Sequence, residues 1–171
     1  MKKQLLHSGW QLTTVGKNDT IPATVPGSVY NDLLNAGRME DPYWRDNEMK
    51  ALALMDEDYR YNTTFDVNAD VLNSERVLLR CEGLDTIADI VLNGEKIASV
   101  CNMHRTWEFD VKDSLKTTGN TLEIVFHSPT KYIKEQDKIC HAGGSDEAMV
   151  GFPNLRKAHC MFGWDWGVSH S

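Results

Sequence analysis

The sequence has no excess of basic residues, and this absence excludes one class of function. Among 171 residues, 18 Lys and Arg stand against 25 Asp and Glu, for a formal net charge of −7. A nucleic-acid-binding protein needs a basic face for the phosphates, so we expect no nucleic acid as a partner. The sequence also lacks an apolar run of about 18 residues, the minimum for a membrane span, so we expect no membrane partner.

Closely spaced cysteine pairs are also absent, and this affects the expected compartment and cofactors. The four cysteines are Cys81, Cys101, Cys140 and Cys160. With no signal-peptide core after the first lysines, they are predicted to be reduced thiols in a cytoplasmic protein, Cys81 being buried. The pairs Cys140-His141 and His159-Cys160 match no standard zinc spacing, and two adjacent ligands cannot easily reach one tetrahedral ion. We therefore expect neither a metal nor another cofactor.

The sequence is rich in apolar and polar residues that alternate with a period of two. In residues 59–67 the odd positions are aromatic or β-branched, which is typical of a strand with one solvent-facing side. The same pattern predicts strands over these ranges: 76–82, 86–92, 95–101, 106–111 and 122–126. Asn93-Gly94 is a strong hairpin signal because both residues tolerate positive φ. Six or seven short strands between residues 59 and 127 predict an all-β fold, an antiparallel β-sandwich in one domain.

Two helices are expected outside the strand region. Ser28 to Ala36 reads as a short N-terminal helix, with Ser28 as its N-cap and Gly37 at the position after its last turn. Residues 131–140 are charged with a few apolar positions, which indicates a surface helix.

Catalytic patterns are missing from the chain itself. The six histidines are scattered, so nothing indicates a Ser-His-Asp triad, and Gly143-Gly144 is too short for a phosphate-binding loop. Asp85-Thr86 is interpreted as an Asx-turn rather than a catalytic acid. Residues 56–58 are interpreted as a solvated acidic loop.

The segment with the most informative chemistry lies near the end of the sequence. Trp164, Asp165 and Trp166 are flanked by glycines. Aromatic faces pack against the C–H-rich faces of pyranose rings, and a carboxylate accepts hydrogen bonds from neighbouring hydroxyls. The segment is therefore either a sugar-contacting tip or a pair of core tryptophans in which Asp165 caps a turn. The residues alone leave both interpretations open.

Several motifs together resemble one family. They are Val25-Pro26-Gly27-Ser28-Val29, Asp41-Pro42-Tyr43, Asn47-Glu48, Gly83-Leu84-Asp85-Thr86, Ile90-Val91-Leu92-Asn93-Gly94, Asn102-Met103, Arg156-Lys157 and Phe162-Gly163-Trp164-Asp165-Trp166-Gly167. In order and spacing they are similar to the N-terminal sugar-binding domain of the β-mannosidases of glycoside hydrolase family 2. The resemblance extends from about Trp10 to Gly167.

The resemblance implies a jelly-roll, galactose-binding-domain-like β-sandwich that belongs to a longer enzyme. Two glutamates in a (β/α)8 barrel of the same polypeptide would perform retaining hydrolysis of a β-mannoside, so this chain would hold no catalytic residue and be inactive alone. The resemblance places Trp164, Asp165 and Trp166 at the terminal mannose, with Arg156 as a neighbour. Alternatives are a stand-alone carbohydrate-binding module, the same domain of a β-galactosidase or β-glucuronidase, and a structural sandwich that touches no sugar.

One departure from the family pattern concerns the end of the sequence. The family usually has proline after the last glycine of the motif, where this chain has Val168, and a final strand normally follows. We therefore expect residues 1–171 to be a sugar-binding domain without its last strand and without the barrel. The strand beside the gap should then present an open edge, which favours an edge-to-edge oligomer.

Overall fold

A computed structural model of the chain describes residues 2–144 and 149–163. In these residues the strands are β1 Gln11–Thr14, β2 Thr20–Pro22, β3 Tyr59–Phe65, β4 Leu78–Cys81, β5 Ile87–Leu92, β6 Glu95–Cys101, β7 Trp107–Asp110 and β8 Asn120–Phe126. The helices are α1 Val29–Asn35, α2 Asn47–Leu54, α3 Ala69–Leu72 and α4 Pro129–Ile139. Short 3-10 turns occupy Lys112–Ser114, Phe152–Asn154 and His159–Met161.

The strands form two antiparallel sheets. The larger sheet has six strands in the order β2-β1-β3-β8-β5-β6, and the smaller consists of β4 and β7. The predicted all-β antiparallel fold is confirmed, and each strand expected between residues 59 and 127 is present. The sequence pattern missed β1, β2, α2 and α3. In the described residues β2 and β6 form the two edges of the larger sheet. The expectation that the domain lacks its last strand stays a prediction.

The core lies between the sheets, and strand alternation produces it. On β5, Ala88 and Ile90 are fully buried and Leu92 nearly so, while the residues between them are half-buried. Cys81 from the smaller sheet belongs to the same apolar cluster as Ala88 and Ile90, and Trp107 packs against it. Burial of one such aliphatic side chain contributes about 1.5–3 kcal/mol, so this shared core joins the two sheets.

The hairpin between β5 and β6 forms at the predicted turn. Asn93 has a φ of 53° and Gly94 a φ of 84°, the left-handed conformations that a two-residue hairpin of this twist requires. The Asn93 side-chain amide donates to the Ser114 carbonyl (2.7 Å) and to Asn120 Oδ1 (3.0 Å). The turn is therefore fixed to the β7–β8 connection at one end of the sandwich.

Helix α1 also agrees with its prediction. Ser28 Oγ accepts a hydrogen bond from the Asn31 amide (3.3 Å), and Gly37 follows the helix with a φ of 66°. The helix packs on the larger sheet through Asp32, which is 2% exposed and accepts a hydrogen bond from the Tyr61 hydroxyl (2.8 Å). Burial, together with that carboxylate, raises the pKa of Tyr61 well above its usual range. The N-terminal helix is thus attached to the middle of β3.

Helix α4 begins two residues before its predicted start and packs beside the larger sheet. Ser128 caps it, its Oγ accepting from the Lys131 amide (3.2 Å) and donating to the Met55 carbonyl (2.6 Å). One face buries Ile133, which is 1% exposed. No helix among the described residues is long and apolar enough to cross a membrane.

Candidate functional site

The residues that follow α4 form a segment without regular strands, which we call the terminal strap (residues 152–163). It contains the 3-10 turns Phe152–Asn154 and His159–Met161. Two of its side chains, Leu155 and Phe162, are 2% and 1% exposed and form an apolar cluster with Ile133 of α4. The strap is therefore packed against the body of the domain, although the periodicity of its sequence predicts no element.

Aromatic contacts connect the two turns of the strap. The Phe152 ring meets the His159 ring edge-on at 4.8 Å between centroids and lies 5.6 Å from the Phe162 ring. The chain enters the strap at Gly151, whose φ is 82°. A Cβ at Gly151 would lie 2.9 Å from Ile133 Cγ2, so the close approach to α4 requires glycine.

Backbone contacts attach the strap to the loop after β6. Arg156 forms an isolated parallel bridge with Asn102, and its carbonyl accepts a hydrogen bond from the Met103 amide (3.1 Å). The Ala158 amide in turn donates a hydrogen bond to Met103 Sδ (3.0 Å). Two motifs that are far apart in sequence, Asn102-Met103 and Arg156-Lys157, are thus brought together.

An ion pair between a buried lysine and a partly buried aspartate attaches the strap to a third motif. Lys157 Nζ lies 2.5 Å from Asp85 Oδ2, and the two side chains are 7% and 23% exposed. Asp85 belongs to the Gly83–Thr86 segment, which leads directly into β5. The pair therefore connects the larger sheet to the residue that follows Arg156.

The contacts of Asp85 support a structural role rather than an acid catalyst. Its second carboxylate oxygen, Oδ1, accepts a hydrogen bond from the Thr86 hydroxyl. Both oxygens are thus engaged by side chains, one by an ammonium group and one by a hydroxyl. The Asx-turn expected at this position is replaced by these two side-chain contacts.

The predicted sugar-binding residues are only partly within the described chain. Arg156 is described, and its side chain is exposed while its backbone is fixed to the loop after β6. Trp164, Asp165 and Trp166 lie outside the described residues, so their role stays a prediction. The last described residue is Gly163, which is buried and has a φ of 87°.

A second polar cluster, unnoticed in the sequence, lies where β3, β5 and β8 come together. His127, directly after β8, is 3.1 Å through Nδ1 from Asp58 Oδ2 and 3.1 Å through Nε2 from Asp89 Oδ2. The Ser128 amide also donates to Asp58 Oδ1 (2.9 Å). Asp58 is therefore held in this cluster, which corrects the prediction of a solvated acidic loop at that position.

The electrostatics of this cluster follow from its geometry. Burial alone would lower the pKa of His127, but hydrogen bonds and charge from Asp58 and Asp89 outweigh it, so the pKa is raised. Burial likewise opposes ionisation of Asp89, yet hydrogen bonds from Lys96, Ser99 and His127 bring its pKa down to about 2. Asp58 and His127 of the cluster line a depression of about 330 Å³ between the sheet and α4. Strand alternation indicates where β8 ends but not which acids meet His127.

No group of three or more His, Cys, Asp or Glu side chains in residues 2–144 and 149–163 is arranged to hold a metal ion. The four cysteines are free thiols. Cys81 is buried as predicted, and burial raises its pKa to about 11. This thiol is consequently a packing group rather than a nucleophile.

Comparison with known families places the chain in a class of carbohydrate-enzyme domains. The family described as "Glycosyl hydrolase 2 galactose-binding domain-like" matches residues 10–171, and the chain belongs to this family. Within it the chain is similar to β-mannosidases. It is 32% identical to the beta-mannosidase of Bos taurus over 174 residues, which cover 96% of this chain and 20% of that protein.

Solved structures support the same relationship. The beta-D-mannosidase of Dictyoglomus thermophilum is 36% identical, with a TM-score of 0.91 over 96% of this chain and 20% of that one. The exo-chitosanase CsxA of Amycolatopsis orientalis is 20% identical, with a TM-score of 0.60 over 70% of this chain and 16% of that one, and shares the fold alone. The chain thus spans about one fifth of the length of its β-mannosidase relatives.

Proposed function

We propose that the chain is the N-terminal sugar-binding domain of a retaining β-mannosidase. The observation that carries this proposal is that similarity to β-mannosidases extends over 96% of the chain, in sequence and in structure, at about one fifth of their length. The remaining length of such an enzyme has room for a catalytic barrel. In this proposal two glutamates of that barrel, about 5 Å apart, act as acid/base and nucleophile.

The contribution of this chain would be to one wall of the mannose pocket. The strap is fixed through Phe162, Lys157 and the Arg156 backbone, and Trp164 is the residue directly after its last described position. In the proposal, Trp164 and Trp166 pack on the C–H faces of the terminal mannose, and Asp165 accepts hydrogen bonds from two hydroxyls.

Arg156 is proposed as the neighbour of this sugar site. Its guanidinium is exposed, while its backbone is held by the Met103 amide, so the side chain extends from an ordered position. A guanidinium donates several hydrogen bonds in a fixed fork, which suits sugar hydroxyls and a nearby carboxylate.

The direct test is Asp165→Ala in the complete polypeptide encoded by the gene, assayed on an aryl β-mannoside. Loss of charge-assisted hydrogen bonds worth about 1.5–3 kcal/mol should lower kcat/KM by about 10- to 150-fold. The matched control is Asp113→Ala, an exposed carboxylate in the 3-10 turn after β7, at the end of the sandwich with the Asn93-Gly94 hairpin. Equal activity of the Asp165→Ala and unaltered proteins would refute the proposed role.

The stand-alone binding module is the alternative from another functional class. Calorimetric titration of the 171-residue chain with mannose and mannobiose separates the two ideas. Our proposal predicts no binding at millimolar sugar, because the barrel would supply the rest of the pocket. Millimolar or tighter binding by the chain alone would favour the module.

A related β-glycosidase specificity is a finer alternative. The match to the Dictyoglomus thermophilum β-mannosidase, at a TM-score of 0.91, exceeds the 0.60 of the exo-chitosanase, which supports mannosidase. Comparison of aryl β-mannoside, β-galactoside and β-glucuronide hydrolysis by the complete polypeptide decides between them. A clear preference for either of the latter two would overturn the mannoside assignment.

A further inference from the structure

We infer that Asp85 and Lys157 are positioning residues for the proposed sugar site, because they fix the terminal strap, from whose last described residue Trp164 follows in sequence, to the start of β5. This inference rests on the proposed function, since it assigns the support of that site to a specific ion pair. Neither residue is proposed to touch the sugar.

The lysine of the pair is buried and the aspartate is partly buried. Lys157 is only 7% exposed as a side chain, and its ammonium lies 2.5 Å from Asp85 Oδ2. Removing two charges from water costs nearly as much as their attraction returns, so such a pair is weak evidence for added stability. In this inference its effect is to select one arrangement of the strap, because any other arrangement would leave the buried Lys157 ammonium unpaired.

The ion pair connects the terminal strap to the larger sheet. Asp85 lies two residues before β5, a strand hydrogen-bonded on both sides in the larger sheet. Lys157 lies between Arg156 and Ala158, which both contact Met103. The ion pair therefore fixes the middle of the strap to the larger sheet. The residues on either side of Lys157 contact Met103 in the loop after β6.

Lys157 is close along the chain to the residues proposed to bind sugar. Lys157 precedes Trp164 by seven residues, and only the His159–Met161 turn and buried Phe162 lie between the pair and Gly163. A shift at Lys157 would be transmitted through this short, packed stretch. Misplacement of a binding group by about 1 Å can cost on the order of 100-fold in rate, so a small shift is sufficient.

The experiment is steady-state kinetics of Asp85→Asn and Lys157→Met in the complete polypeptide on an aryl β-mannoside. We expect KM to rise about tenfold or more while kcat falls less, because the terminal sugar is held less well. The double variant should be no worse than either single variant, since both remove the same interaction. Lys157→Arg keeps the positive charge and should fold where Lys157→Met does not, with a smaller rise in KM.

The matched control separates position from stability. Asp32 of α1 is a buried acid that accepts hydrogen bonds from the Tyr61 hydroxyl and the Thr24 amide. Asp32→Asn should lower the thermal midpoint and leave KM unchanged below that midpoint. If Asp32→Asn raises KM as much as Asp85→Asn does at the same loss of midpoint, the pair is merely structural and the inference fails.

Hydrogen exchange on the 171-residue chain tests the inference even if the complete polypeptide does not hydrolyse mannosides. In Asp85→Asn the Met103 and Ala158 amides should exchange at least about tenfold faster, while amides of β3 and β8 keep their rates. Unchanged exchange at Met103 and Ala158 would overturn the inference independently of the proposed function.

Discussion

The six-stranded sheet and the terminal strap are ordered by different kinds of contact. The sheet is a continuous ladder in which β3 pairs with β8 over seven residues and β8 pairs with β5 over five. The described contacts of the strap are of several kinds: an isolated bridge at Arg156, two short turns, the apolar cluster of Leu155 and Phe162 with Ile133, and the Lys157–Asp85 ion pair. The sheet is thus held by many similar contacts, and the strap by a few dissimilar ones.

This difference separates stability from placement. A ladder with a shared core unfolds as a unit, so any large loss within it is felt by the whole domain. A segment with few contacts can open locally at a lower free energy than global unfolding. We therefore expect the sheet to determine whether the domain folds and the strap to determine where its terminal residues lie.

The largest expected effect is on the sheet side of the comparison. Ile90 is fully buried at the centre of β5, opposite Ile124. Ile90→Ala should lower the free energy of unfolding by about 2–5 kcal/mol, from lost transfer energy and the cavity left behind. Urea unfolding followed by circular dichroism measures this loss.

Ile139→Ala is the control for that substitution, because this isoleucine at the end of α4 is 79% exposed. It should change the free energy of unfolding by no more than about 0.5 kcal/mol. Similar losses at Ile90 and Ile139 would contradict the view that the sheet core carries the stability.

A smaller loss of global stability is expected from Phe162 in the strap, although its side chain is about as buried as that of Ile90. A Phe→Ala substitution in a fully coupled core costs about 3–5 kcal/mol. Phe162→Ala should lower the global free energy of unfolding by less than this range, because the strap can detach while the sheet stays folded. Hydrogen exchange should instead show faster rates confined to residues 152–163.

Phe126→Ala gives the matched comparison on the sheet side. Phe126 is only half-buried, but it lies on β8 and its ring meets Tyr61 edge-on at 5.9 Å. Its loss should appear fully in global unfolding, without local exchange. If Phe162→Ala destabilises the whole domain by the full amount, the strap belongs to the same cooperative unit as the sheet.

The sheet was the predictable part because a period of two is visible in the residues themselves. Tyr59, Tyr61 and Thr63 alternate with polar residues and are buried as that alternation requires. Strand β2 was missed because three residues are too few to show a period. Helix α2 was missed because Asn47 and Ala51 are its only buried residues, so its apolar face is weak.

The strap was the unpredictable part because its contacts join residues far apart in sequence. Lys157 meets Asp85 across 72 positions, and nothing local to either residue indicates the other. Both residues belong to motifs that resemble the family, but the motifs do not show that they are in contact. Only the folded chain brings them together. His127 was missed for the same reason, since its two acids lie 69 and 38 positions away.

The smallest expected effect tests the electrostatics of the sheet's own polar cluster, His127 with Asp58 and Asp89. The folded-state pKa of His127 is raised, so its contribution to stability is complete below its ordinary pKa of 6.5 and is lost as pH rises through the raised value. The pKa values of Asp58 and Asp89 are lowered, so their contributions are present above about pH 4 and are lost on acidification. The cluster should therefore stabilise most between about pH 4 and 6.5. Because these side chains are partly exposed, the effect should not exceed about 1 kcal/mol.

His127→Gln should reduce the free energy of unfolding in that pH window, and above the window its free energy of unfolding should converge with that of the unaltered chain. Urea unfolding at several pH values would show this. A pH-independent loss in His127→Gln would mean that the cluster acts by packing alone, and its electrostatic contribution to the stability of the sheet would be refuted.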